Sequence, residues 1–208
     1  MPQRALSACA QHPGETILMA TPDILIPESI TTERLLIRVV SADDAFTVNA
    51  SINENFDALK QWMDWAKAPH SPHDTEQWVQ HAIAQFNERT ELNFVIRRKD
   101  THAHVGNISY HHILWDVPCF EIGYWQRTTM SGHGYMTEAV RGLSALALDN
   151  FGAQRLEIRC DSANQASANV ARRAGFTHEA TLKHNRRNNA GDLTDTLIFA
   201  LLRESERS

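Results

Sequence analysis

Following Thr31, the stretch TERLLIRVV alternates apolar and polar positions and predicts a first strand. Ser41 with Asp44 behind it marks a helix start, with carboxylates favoured in a first turn. Residues 42–65 then read as helix, break and helix, ending in LKQWMDWAKAPHSP, where Pro69 and Pro72 interrupt the chain. Asp74 opens DTEQWVQHAIAQFNERT, whose Trp78, Ala82 and Phe86 share one helical stripe. Three strand-like runs follow, Asn93 to Arg97, His104 to His112 and Cys119 to Trp125, spaced as an antiparallel meander. From Tyr135, the positions Met136, Ala139, Val140, Leu143 and Ala147 recur at helical spacing, and Gly152 stands where that helix would stop. In RLEIRCD, Leu156, Ile158 and Cys160 face one way and Arg155, Glu157 and Arg159 the other. A short helix from Asn164, closed by Gly175, precedes the last two strands, FTHEATLKH and LTDTLIFALL. The predicted order is β-α-α-β-β-β-α-β-α-β-β, an α/β (α+β) chain with a mixed, mostly antiparallel twisted sheet flanked by helices.

Composition narrows the class. The 208 residues suffice for one domain with a sizeable core plus a tail. Residues 1–28, with Pro13, Gly14, Pro22 and Pro27 scattered through them, read as an N-terminal tail in which ILIP adds an edge strand. The domain is then 29–208. A formal charge of −5 offers no basic footprint, so no nucleic-acid partner is expected. Cys9, Cys119 and Cys160 are odd in number and widely spaced, which gives no disulfide framework and suits a reducing cytosol. The sequence has neither a membrane-spanning apolar run nor a signal-peptide pattern, so the expected location is cytoplasmic.

Chemistry concentrates at residues 121–150, EIGYWQRTTMSGHGYMTEAVRGLSALALDN. A strand feeds a turn in which Gly132 and Gly134 bracket His133, and a helix begins at once. Such a turn leaves free N–H groups at the positive end of a helix, a ready site for a phosphate or pyrophosphate. The Lys-Ser/Thr of a P-loop is missing, and the glycine spacing is not that of a dinucleotide fingerprint. The turn resembles the acetyl-CoA loop Q/R-x-x-G-x-G/A of the GCN5-related N-acetyltransferases (the GNAT superfamily), laid on Ser131 to Met136. Gly134 matches, while Ser131 replaces Gln/Arg and Met136 replaces Gly/Ala. The flanking E-I-G-Y-W and G-x-G-Y-x-T-E-A are similar to the RimJ/RimL branch. NQASANVARRAGF, from Asn164 to Phe176, resembles the second signature of the superfamily, and the resemblance spans roughly Thr31 to Leu202.

This resemblance implies a GNAT fold and transfer of an acetyl group from acetyl-CoA to an amine. Cofactor contacts would come from Tyr124, Trp125 and Gln126 at a strand end, where the next strand is expected to splay away. Further contacts would come from Ser131, Gly132, His133, Gly134, Tyr135, Met136 and Thr137 in the loop, and from Asn164 and Ser167. Most branches carry a tyrosine seven residues after that Asn to protonate the thiolate; here the position is Ala171. The RimL-like alternative is Ser167, whose hydroxyl either serves the sulfur or merely caps its helix. Backbone N–H groups of Tyr124–Gln126 would hold the oxyanion. Two carboxylates, Glu121 and Glu91, compete as general base. A weak base suffices for an α-amino group, with a pKa of about 8 against about 10.4 for lysine.

Trp62 and Trp65, three apart, are expected to share a helix face and either fill the core or wall a substrate cleft, as the resemblance favours. His102, His104, His111 and His112 surround one strand. Because successive strand residues point to opposite faces, His111 and His112 should not ligate one ion without distortion, and no metal is expected. Arg172, Arg173, Arg186 and Arg187 read as a solvated face, or else as a site for the CoA 3′-phosphate or an acidic protein. The acceptor is expected to be a protein N-terminus of the ribosomal-protein type. A small amine or antibiotic, and a non-catalytic acyl-CoA binder, stand as alternatives, and a homodimer stays open.

Overall fold

The computed structural model describes residues 24–203. The strands are β1 (Ser29–Thr31), β2 (Leu35–Val39), β3 (Leu92–Arg98), β4 (His104–Leu114), β5 (Cys119–Gln126), β6 (Arg155–Asp161), β7 (Thr177–Arg187) and β8 (Leu193–Leu202). They form one sheet in the order β1-β2-β3-β4-β5-β6-β8-β7. Every neighbouring pair is antiparallel except β5 and β6, which run parallel. Parallel neighbours need a crossover, and helix α4 (Tyr135–Asp149) supplies it. The meander read from sequence is β3-β4-β5.

Alternation distributes the strand residues between two cores. On one face, Phe94, Ile108, Tyr110, Ile122, Leu156 and Phe199 pack with α4 and with α5 (Gln165–Arg173), among them Leu143 and Ala168. On the other, Val95 meets Val48, Ile52, Val79 and Ala82 from α1 (Ala45–Glu54) and α3 (Pro72–Glu88). The one-turn helix α2 (Phe56–Leu59) closes this second core through Leu59. Helix α3 begins two residues before Asp74 because Ser71 caps it. The Ser71 hydroxyl accepts from the Asp74 N–H at 3.1 Å, the Asp74 carboxylate accepts from the Ser71 N–H at 2.9 Å, and Pro72 fills the first helical position.

Two expectations need correcting. ILIP is not a strand; the edge strand is Ser29–Thr31, and Ile24 and Ile26 pack against the larger core instead. Residues 1–23 of the tail lie outside the described residues. Trp62 and Trp65 do not share a helix face, because helix ends at Leu59 and residues 60–70 form turns. That segment is gripped by the β7–β8 hairpin: Asn189 donates to the carbonyls of Lys60 and Met63 at 2.8 and 2.9 Å, and Arg186 pairs with Asp64 at 2.8 Å.

Candidate active site

Strands β5 and β6 pair only through Cys119–Glu121 and Arg155–Glu157, after which β6 continues with β8 alone, as far as Asp161 opposite Thr196. The β6-facing edge of Tyr124, Trp125 and Gln126 is therefore free of strand pairing, at the mouth of a V-shaped opening. The expected splay is present. At the same end, the loop before α4 takes left-handed backbone at Gly132 (φ 81°) and Gly134 (φ 78°), where glycine carries no steric penalty. A Cβ at Gly132 would meet nothing within 4 Å, and one at Gly134 only the Arg34 guanidinium at 3.6 Å, so the loop is open outward. Helix α4 has no side-chain cap, which leaves its first N–H groups to an incoming anion.

The loop side chains divide into two groups. Ser131, Gly132, His133 and Gly134 are exposed, with Ser131 Oγ accepting from Gln126 Nε2 at 2.8 Å. Tyr135, Met136 and Thr137 are buried, so Tyr135 and Met136 can offer a ligand only their main chain. Arg34, absent from the sequence reading, braces this corner. It donates to Glu138 at 2.6 Å and to the His133 carbonyl at 2.9 Å, and its guanidinium lies 4.8 Å from the Tyr135 ring centre. Nothing local announces the role of Arg34, since its partners lie about a hundred residues away. Burial pushes the Glu138 carboxyl up, but bonds from Thr32 and Arg34 outweigh that and hold it below the usual range.

Across the opening, Asn164 caps α5 by accepting from the Ser167 N–H at 3.1 Å. The cap is therefore Asn164, and the Ser167 hydroxyl is turned instead to Tyr124 and the Cys160 thiol. Its Oγ lies 3.1 Å from the Tyr124 hydroxyl, which also lies 3.1 Å from the Ser167 carbonyl. Burial raises the Tyr124 phenol well above its ordinary value, against a smaller opposing effect of the Ser167 bond. Tyr124 thus places a neutral phenol beside Ser167 on the first turn of α5. Strand position alone points to the main chain of Tyr124, not to its hydroxyl.

On the α1–α3 side of β5 lies a cavity of about 360 Å³, bordered by Trp65, Trp78, Glu91, Asn107, His111 and Trp125 among others. Trp65 meets Trp125 edge-on at 6.4 Å and His70 at 5.4 Å, whereas Trp62 is not among the bordering residues. Behind Trp125, the buried His104 ring sits between Ser51 Oγ (2.8 Å) and Asn107 Oδ1 (2.9 Å). Burial pushes this imidazole down to about 4, aided by Arg97 and Arg127, while the Asn107 bond works the other way. With its oxygen engaged, Asn107 holds a buried, unpartnered Nδ2 at the cavity.

The two candidate carboxylates differ. Glu91 borders the cavity and accepts from Gln85 at 3.0 Å and Asn93 at 3.2 Å. Glu121 is bound by both histidines, His111 Nε2 at 3.1 Å and His112 Nδ1 at 3.0 Å. Burial pushes its carboxyl up, but the two histidine bonds outweigh that and keep it below the ordinary value, which makes it a poor proton acceptor. Strict alternation fails here: β4 bulges between His111 and Leu114, and His112 adopts φ 48°, so both rings reach one carboxylate. Their ligand atoms lie within 4.8 Å of one another. The imidazole–carboxylate bonds account for this grouping without an ion. Of the four arginines, Arg172, Arg173 and Arg187 donate to neutral partners, Asn169, Thr137 and the Gly191 carbonyl, and Arg186 pairs with Asp64.

Among the described residues, no helix is long and apolar enough to cross a membrane. A family model for the acetyltransferase (GNAT) domain matches residues 34–177, more than half of the chain. The chain is 28% identical over 152 residues to the ribosomal-protein-serine acetyltransferase of Escherichia coli (strain K12), covering 73% of this chain and 84% of that protein. Among solved structures, it resembles RimL, a ribosomal alpha-N-protein acetyltransferase solved with coenzyme A. That likeness has a TM-score of 0.79 at 26% identity, over 84% of this chain and 98% of that one. A microcin self-immunity acetyltransferase solved with acetyl-CoA and AMP shares the fold, with a TM-score of 0.79 at 23% identity over 86% and 98% of the two chains. With the open β5–β6 edge, the glycine loop and the matched domain in place, the chain belongs to the GNAT acetyltransferases, in their RimJ/RimL-like branch.

Proposed function

We propose that this protein acetylates the α-amino group of a protein N-terminus, with acetyl-CoA as donor. One observation carries the reading. The Tyr124–Ser167 pair and the free β5 edge stand between the glycine loop on one side and a cavity on the other. An acyl donor held at the loop would have its reactive end beside the pair, and an amine in the cavity would approach from the opposite face of the sheet. The loop fits a pyrophosphate because both glycines are open outward and α4 begins without a cap. Bound acetyl-CoA would supply an activated acyl group as a thioester.

The chain's own residues then have separate tasks. Main-chain N–H groups of Tyr124–Gln126 stabilise charge on an acyl oxygen. The Ser167 hydroxyl, held by Tyr124, donates to the departing sulfur. Trp65 and Trp125 wall the acceptor, and Asn107 offers an N–H to a carbonyl, such as the first one of a peptide. A peptide acceptor supplies both features, an amine that is substantially neutral near pH 7–8 and an adjacent carbonyl. The names of the relatives support a ribosomal protein as that acceptor.

Free-thiol release from acetyl-CoA, measured with peptides carrying free N-termini and with lysine side-chain analogues, tests the reading. Release with N-terminal peptides, and mass increase at their α-nitrogen, is the expected result. Thiol release only with small amines would reassign the acceptor, and binding of acetyl-CoA without release would make the protein a binder.

A further inference from the structure

We infer that His111 is the general base of the reaction and that Glu121 is its positioning residue. The inference rests on the proposed acetyl transfer and names the group that accepts the acceptor's proton. His111 borders the cavity, while the more buried Glu121 lies behind it. An ionised carboxylate only accepts hydrogen bonds, so the ring nitrogen facing it, Nε2 at 3.1 Å, carries the proton. Nδ1 is then left with its lone pair, and it faces Ser109 Oγ at 3.5 Å, itself on the cavity wall. A base whose far nitrogen is oriented by a carboxylate is the arrangement that fixes tautomer and ring plane in acyl-transfer sites.

The position of His111 is as specific as its partner. Its ring abuts Gly123, where a Cβ would come within 2.4 Å of Cε1, so only glycine leaves the imidazole where it stands. Gly123 directly precedes Tyr124 on β5, so the ring stands on the cavity face of the sheet, one residue along the strand from the backbone that carries the phenol on the opposite face. Four charged or titratable side chains surround the His111–Glu121 pair. His112 follows His111, and Arg159 on β6 is 3.9 Å from Glu121 and 3.4 Å from Glu157. Glu91 borders the same cavity from the start of β3. Because His112 and Arg159 occupy Glu121 from the solvent side, the carboxylate is committed to orienting His111. In the step itself, the acceptor nitrogen bonds to the acetyl carbonyl carbon and the carbon–sulfur bond breaks. The proton lost from nitrogen passes to His111 Nδ1 and then to solvent, and the thiolate leaves hydrogen-bonded to the Ser167 hydroxyl and takes its proton from solvent through it.

Imidazole ¹⁵N spectroscopy and kinetics on the full chain test this together. The expected spectrum shows His111 as the Nε2–H tautomer, lost in Glu121→Gln. His111→Ala should bind acetyl-CoA as wild type does in calorimetry. Its kcat should fall by about a hundredfold or more, with the acid limb of the kcat–pH profile lost. Gly123→Ala, which displaces the ring without removing it, should lower kcat in the same direction. An Nδ1–H tautomer would overturn the assignment, as would an unchanged profile in His111→Ala, loss of the acid limb in Glu91→Gln instead, or activity abolished by a chelator. If wild-type protein fails to bind acetyl-CoA, the underlying acetyl-transfer reading fails, whereas normal binding with any of those outcomes removes His111 alone.

Discussion

The hydroxyls of Tyr124 and Ser167 meet 3.1 Å apart where β5 parts from β6, joining a strand to a helix that sequence places more than forty residues on. This contact separates two roles for Ser167 that the sequence leaves entangled. Asn164 already caps α5, so removing the Ser167 hydroxyl costs no cap. Ser167→Ala is expected to lower kcat by about a hundredfold, with acetyl-CoA affinity unchanged. Its melting temperature should move less than that of Asn164→Ala, which forfeits about 1 kcal/mol of capping. Steady-state kinetics and thermal melts of the two variants check this; normal turnover in Ser167→Ala would remove the residue from the chemistry.

The glycine loop gives a second prediction. Asp and Asn both tolerate the left-handed backbone of Gly134, and a Cβ there meets only Arg34 at ordinary contact distance. Gly134→Asp and Gly134→Asn should therefore both fold and differ only in charge. A carboxylate near a pyrophosphate costs about 1–4 kcal/mol at close range, depending on solvent exposure. Calorimetry is expected to show acetyl-CoA binding about tenfold or more weaker in the Asp variant than in the Asn variant. Equal affinities would move the phosphates elsewhere.

His104 gives a pH-dependent prediction. Its folded-state value, about 4, lies below the ordinary 6.5, so the folded protein resists protonating it. The associated stability is fully present above pH 6.5 and is lost as pH falls towards 4. The total is about 3 kcal/mol at one pKa unit per 1.36 kcal/mol. Below pH 4 this contribution is flat, and the lowered carboxylates Glu138 and Glu121 take over. Denaturant titrations from pH 7 to 4 should show the decline in wild type. His104→Gln should lack it, whatever its absolute stability.

The sequence shows this architecture clearly where local pattern and burial agree. Alternation in β6 puts Leu156, Ile158 and Cys160 inside, and the 3.6-residue period of α4 buries Ala139, Val140 and Leu143. It shows less where tertiary contacts override period. The tryptophan spacing predicts a shared helix face, yet the hairpin at Asn189 holds residues 60–66 as turns. Period-2 reasoning separates His111 from His112, yet one bulge brings both to Glu121. The partnership of Arg34 with Glu138 and His133 has no local signature at all, because chain distance hides it.

That hairpin-held segment carries the last prediction, which separates two tryptophans of similar sequence context. Trp65 borders the cavity, is 43% exposed and packs edge-on against Trp125, while Trp62 is half-buried away from it. Aromatic contacts of this kind are worth about 0.5–1.5 kcal/mol. Trp65→Ala should therefore raise KM for the acceptor about two- to tenfold and leave acetyl-CoA affinity alone. Trp62→Ala should leave acceptor KM close to wild type. Asn189→Ala distinguishes a wall contact from loop order. It frees the carbonyls of Lys60 and Met63 and loosens the whole segment, so it should raise acceptor KM without touching Trp65 itself. If Trp62→Ala and Trp65→Ala raise KM equally, the acceptor reads the order of the segment as a whole. If only Trp65→Ala does, the tryptophan face at the cavity is what the acceptor touches.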